Sequence, residues 1–188
     1  MIGPEFPAVL AAAAAGDEDA FGRLWRDLQP RLLRYFAVAA PPAADDLASE
    51  TWLGVVRGLD RFQGGEPAFR AWVFTIARHE VLDLRRRAAR RAAEDLPVNG
   101  IVEQAAPDDP AADAIEGFST RAALAEVATL PADQAEAIVL RVVAGLEVQR
   151  VAEIMGKRPG TVRVLTHRGL RRLAERLGGA NGGFRRVV

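Results

Sequence analysis

Apolar residues recur at intervals of three and four along this chain, without the strict alternation of a half-buried strand. Phe21, Leu24, Trp25 and Leu28 fall on one face of a helix, and Leu32, Leu33 and Phe36 continue the stripe. The spacing returns in Leu47, Trp52, Val55, Val56, Leu59 and Phe62, and again in Phe69, Trp72, Val73, Ile76, Ala77 and Leu84. Eleven prolines and 17 glycines punctuate these runs, and only 6% of residues are aromatic. The combination predicts an all-α protein rather than a sandwich or barrel.

The punctuation divides the 188 residues into two small helical domains. Residues 1–8 read as a disordered start, and the string Gly3-Pro4-Glu5-Phe6 resembles a cloning scar. The first domain spans 9–93. Its main helices begin after Gly16, with Asp17, Glu18 and Asp19 supplying negative charge for a first turn. Pro30 is expected to kink or restart that helix, and Pro41-Pro42 to end it. A helix over about 43–62 follows, then one from Pro67, at a first helical position, to the run Arg85-Arg86-Arg87. Residues 94–119 contain Pro97, Pro107 and Pro110 with little periodicity, which marks a linker. The second domain, 120–178, reads as helices over about 120–130 and 131–144, then 147–155 and 159–177 joined by a tight turn. Residues 179–188 form a Gly-rich flexible tail.

Net charge is zero, but it is partitioned along the chain. The segment 94–118 carries seven acids and no basic residue, so the linker is acidic. The segment 141–176 carries nine basic residues against three acids, a net +6. Every cation but Lys157 is arginine, the side chain suited to bidentate phosphate and base recognition.

Several function classes are disfavoured. Cysteine is absent, so no disulfide framework, thiol nucleophile or thiolate metal site is available. The two histidines, His79 and His167, are too far apart in sequence to form a helical metal pair. No phosphate-cradling glycine loop or nucleophile elbow occurs. Neither cofactor nor metal is expected, and no catalytic residues. No apolar run approaches the roughly 20 residues that span a bilayer, and Val9 to Ala15 is too short for a signal-peptide core. A cytoplasmic protein without direct membrane insertion is expected.

The strongest functional pattern lies at the end of the second domain. Val148, Val151, Ala152 and Met155 give one helix an inner face, Gly156-Lys157-Arg158-Pro159 makes a turn, and Val162, Leu165, Leu170 and Leu173 stripe the next helix. This is helix-turn-helix spacing, with a second helix able to enter a major groove. Arg158, Thr161, Arg163, His167, Arg168, Arg171 and Arg172 point away from the stripe and form the expected duplex-binding set. The plainer reading is a helical hairpin whose arginines are a solvated face. A second pattern is Phe69-Arg70-Ala71-Trp72-Val73-Phe74, where aromatics and cations interleave as they do on single-strand binding surfaces. At this spacing Phe69 and Trp72 read as core residues, which leaves Arg78, His79, Arg85, Arg86 and Arg87 as the expected strand contacts.

Together these segments resemble the extracytoplasmic-function sigma factors of the sigma-70 family. Asp45-Asp46-Leu47-Ala48-Ser49-Glu50 through Phe62 is similar to that family's polymerase-binding helix. Phe69 through Arg87 is similar to its −10 recognition and strand-opening helix. Leu130-Pro131 onward, through Val151 to Gly156 and Gly160-Thr161-Val162-Arg163, is similar to its −35-reading domain. The resemblance covers about 17–93 and 120–177, in the family's order. It implies a promoter-specificity subunit that binds core RNA polymerase and promoter DNA and is restrained by an anti-sigma factor. Asp45, Asp46, Leu47 and Glu50 would dock on polymerase. Arg78, His79 and the arginine run would hold the opened −10 strand, and the helix-turn-helix set would meet −35 duplex. Three positions depart from the pattern: His79 stands where asparagine is common, Val164-Leu165-Thr166 where Ser-Arg-Leu is common, and Glu147 where a Ser or Thr cap is common. A conventional helix-turn-helix regulator, binding duplex without polymerase, is the first alternative, and a metal-dependent nucleic-acid hydrolase the second.

Overall fold

The computed structural model describes residues 1–94 and 114–180, and every regular element in them is helical. The acidic stretch 95–113 and the tail 181–188 lie outside the described residues.

The chain does not start disordered. Gly3–Glu5 forms a 3-10 turn and Phe6–Ala14 a helix, α1, which corrects the disordered start expected for residues 1–8. Phe6 is 2% exposed, with its ring 5.6 Å from that of Phe69. The N–H groups of Ile2 and Gly3 donate to the Glu66 carboxylate at 3.0 and 2.9 Å, and the Met1 ammonium meets Asp27 at 2.6 Å. Phe6, with Val9 and Ala13 buried on the same helix face, and these charge-assisted bonds hold the segment in place.

Helix α2, Glu18–Ala39, starts where its charges predict: the Asp17 carboxylate accepts the Ala20 N–H at 2.8 Å. It buries Ala20, Leu24, Leu28, Leu32, Tyr35 and Phe36. It also runs unbroken across Pro30, which lies on the exposed side, where water can satisfy the Arg26 carbonyl that loses its donor. Helix α3, Ala44–Gly58, packs on α4, Glu66–Glu94, through a shallow groove. A Cβ at Gly54 would lie 2.9 Å from Ile76, and one at Gly58 2.9 Å from the Trp72 ring. Phe69, Val73, Phe74 and Ala77 of α4 are buried in the core.

The second half comprises α5, Ala114–Ala128; α6, Ala132–Ile138, continued by a π-helical turn Val139–Val143; α7, Val148–Met155; and α8, Pro159–Ala180. Helix thus begins within the span expected as linker, and α8 continues past Leu177. The halves pack together: α5, α6 and the π turn lie against α2, and α7 against α4. One apolar core runs through both.

Helix α8 sits close on α6 because of Gly169. A Cβ there would lie 2.6 Å from Ile138 Cδ1 and 3.3 Å from Gln134 Cβ. Gly169→Val should therefore destabilise the chain by about 1–3 kcal/mol, read as a lowered denaturant midpoint. Gly160→Ala, with nothing within 4 Å of its Cβ, should instead be neutral or stabilising.

Candidate nucleic-acid and polymerase interfaces

Gly156 turns the corner between α7 and α8 with φ +63°, a left-handed conformation that glycine adopts without strain. The Lys157 N–H then reaches back to the Ala152 carbonyl at 2.9 Å, closing α7 as a Schellman motif does. The Lys157 ammonium meets Asp133 at 2.9 Å and ties the turn to α6, so the chain's single lysine is a strap rather than a DNA contact. Val151, Ala152, Met155 and Val162 are buried between the two helices. Glu147 starts α7 without a side-chain cap bond, as its departure from Ser or Thr implies.

The turn exposes Arg158, and the outward side of α8 exposes Thr161, Arg163, His167, Arg168 and Arg171. Arg171 is paired with Glu175 at 2.9 Å, and Arg172 turns to the Gln134 side-chain oxygen at 3.3 Å. Arg172 is thereby placed at the α6 edge of the helix. Leu170, expected in the inward stripe, is 46% exposed, because Gly169 takes the inward position. Val164, also 46% exposed, lies at mid-face between Thr161, His167, Arg168 and Arg171. It is an apolar group placed as a thymine-methyl contact would be, which the arginine count alone did not reveal.

On α4, Phe69 is 1% exposed and Trp72 half-buried, stacked 5.0 Å from Phe62, so both are core residues. His79 is exposed, and so are Arg85, Arg86 and Arg87. Arg85 donates to the Ala39 carbonyl at the C-terminus of α2 at 3.2 Å, and Arg86 pairs with Asp83 at 2.8 Å. Arg78 differs from the rest. Its Nε donates to Glu136 of α6 at 2.8 Å, and the Tyr35 hydroxyl lies 3.4 Å from the same carboxylate oxygen. Burial, then the Glu136 charge, push the Tyr35 hydroxyl far above the ordinary tyrosine range, with Arg78 and Arg85 opposing. It therefore stays protonated and able to donate.

On α3, Asp45, Asp46 and Glu50 are exposed, but Leu47 is 6% exposed and packs in the core, which corrects its assignment to docking. The apolar part of the outer face is instead Leu53 and Val56, each 55% exposed. Val56, whose spacing predicts an inward position, therefore faces out. Adjacent Val55 and Val56 are about 100° apart on a helix, and only Val55 faces in. The series Asp46, Glu50, Leu53, Arg57 at helical spacing would have marked this face in the sequence.

These three surfaces lie within matches to known families. Residues 23–91 match the family described as Sigma-70 region 2, and residues 120–173 that described as Sigma-70, region 4. The ECF RNA polymerase sigma factor SigD of Mycobacterium tuberculosis is 34% identical over 184 residues, covering 94% of this chain and 86% of SigD. The chain belongs to the ECF sigma factors. As a sigma factor it is a promoter-specificity subunit acting with core RNA polymerase and promoter DNA, and the conventional-regulator alternative falls away because the match includes region 2 as well as the helix-turn-helix. The ECF sigma factor ShbA of Streptomyces griseus is similar at 34% identity, covering 88% of this chain and 92% of ShbA. Among solved structures, sigma factor RpoE in complex with the anti-sigma factor NepR, from Bartonella quintana, aligns with a TM-score of 0.59 at 26% identity, over 83% of this sigma factor and 97% of RpoE. Among the described residues of this sigma factor, no helix is long and apolar enough to cross a membrane.

Proposed function

We propose that this sigma factor divides its labour between 9–93, which docks on core polymerase and handles the −10 element, and 120–178, which reads the −35 element. Docking uses the outer face of α3: Asp45, Asp46 and Glu50 around Leu53 and Val56. Arg78, His79, Arg85, Arg86 and Arg87 of α4 hold the opened −10 strand. Arg158, Thr161, Arg163, His167, Arg168 and Arg171 meet −35 duplex, with Arg172 at the edge. The chain works in the cytoplasm without catalytic residues of its own, and an anti-sigma factor restrains it, as NepR is bound to RpoE. The observation that carries this reading is the exposed, arginine-rich α8 immediately after a glycine turn. Its amides and guanidinium groups are arranged for a groove and its phosphates.

Arg163 and Arg168 are five residues apart and project about 140° from each other, flanking Val164. Arg163, nearer the start of α8, is assigned a base, and Arg168 a phosphate. In holoenzyme binding to a panel of −35 variants at two salt concentrations, Arg163→Ala should relax preference at one base pair by ~1–3 kcal/mol. Arg168→Ala should weaken all sequences alike and flatten the salt dependence. An intact preference profile for Arg163→Ala beside an altered one for Arg168→Ala would reverse the assignment.

A further inference from the structure

The contact between Arg78 and Glu136 joins the two halves at a residue already assigned to the −10 strand. The two side chains are 20% and 17% exposed, so the ion pair is largely sheltered while its edge remains open to water and competing anions. Glu136 accepts from Arg78 at 2.8 Å and lies 3.4 Å from the hydroxyl of Tyr35, itself 1% exposed. A carboxylate oxygen on a guanidinium presents the same charge and acceptor geometry as a phosphate oxygen. Around it, the loop after the π turn rests on the first half: a Cβ at Gly145 would lie 3.5 Å from guanidinium nitrogens of both Arg31 and Arg70.

This closed arrangement does not fit a promoter. The −10 and −35 elements lie roughly 25 base pairs apart, about 85 Å of duplex at 3.4 Å per step. A compact chain of this length spans about 40 Å. With the halves packed together, α4 and α8 do not reach both elements, and the bond Arg78 would make to a strand phosphate is already made to Glu136.

We infer that Glu136 is an internal phosphate mimic: by occupying Arg78 it latches the free sigma factor closed, and assembly on polymerase and promoter exchanges this carboxylate for the opened strand. The inference rests on the strand-holding role proposed for Arg78. Glu136→Gln keeps the shape and removes the charge. A charge-assisted hydrogen bond of this kind corresponds to roughly a tenfold shift in an opening equilibrium.

The chain contains no cysteine, so Ala11→Cys in α1 and Ala174→Cys in α8, both exposed, label it at two sites for single-molecule energy transfer. The free chain should show a short-distance population. Glu136→Gln should move it roughly tenfold toward long distances, and Arg78→Glu combined with Glu136→Arg should restore the short one. A free chain that is already open, distances that Glu136→Gln leaves unchanged, or a charge swap that stays open would each overturn the latch. Promoter opening by holoenzyme carrying Arg78→Ala tests the strand role separately. Opening lost while the Glu136→Gln distances stay short removes the latch and keeps the strand role. Opening retained while those distances lengthen removes the strand role and leaves only the closure.

Discussion

Asp46→Arg combined with Glu50→Arg should leave the chain folded yet unable to assemble with core polymerase. Both positions are exposed and one turn apart on α3, and neither forms an ion pair among the described residues. Losing them should therefore cost little fold stability. They share a face with Leu53, whose side of the helix is open although α3 buries Leu47, Ala48, Thr51, Trp52 and Val55 on the other. An interface that accepts two carboxylates around an apolar centre rejects two guanidinium groups by like-charge repulsion and unpaired desolvation, each worth several kcal/mol. Loss of ~3 kcal/mol or more corresponds to at least about a hundredfold weaker binding. A titration of labelled chain with core enzyme measures this, and an unmoved thermal midpoint separates it from unfolding. Unchanged affinity would place the docking surface elsewhere on the first half.

Phe69→Ala should have the largest effect on stability, and should abolish function only by way of the fold. Phe69 is 1% exposed, with ring centroids 5.6 Å from Phe6, 5.3 Å from Phe62 and 5.7 Å from Trp72. It joins the N-terminal segment, the loop before α4 and α4 itself in one cluster. Truncating a buried phenylalanine costs ~3–5 kcal/mol, which for a chain of this size lowers the melting temperature by about 10 °C. A single-strand stacking role would predict the reverse pattern: near-normal stability with weakened promoter opening. Thermal unfolding beside promoter opening at a permissive temperature separates the two.

The helices were legible because burial imposes a period: Leu24, Leu28, Leu32 and Phe36 in α2 and the Asp17 cap are local signals that the structure repeats, whereas Trp25, expected in the same stripe, is 42% exposed. The helix-turn-helix was legible for the same reason, since Gly156 between two short amphipathic runs leaves few other geometries. What escaped was non-local. Phe6, Val9 and Ala13 of α1 are spaced as a helix face, but the segment is short and alanine-rich, and its place depends on the distant Phe69 and, through Ile2 and Gly3, Glu66. Gly169 reads as a helix weakener until Ile138 is seen against it. Leu47 and Leu53 are both leucines on one helix, and their opposite fates depend on where α2 and α4 lie. Arg78 reads as one more exposed cation, whereas its partner Glu136 is 58 residues away.

Run-off transcription tests the central claim most directly. Core polymerase from the source organism, supplied with this chain and fragments of that organism's genome, should start transcripts at a restricted set of promoters sharing one −10 and one −35 motif. Arg163→Ala should alter the −35 motif alone, and Asp46→Arg with Glu50→Arg should abolish every start. Core enzyme that gives no chain-dependent transcript, while the chain alone binds duplex with the same sequence preference, would contradict the account.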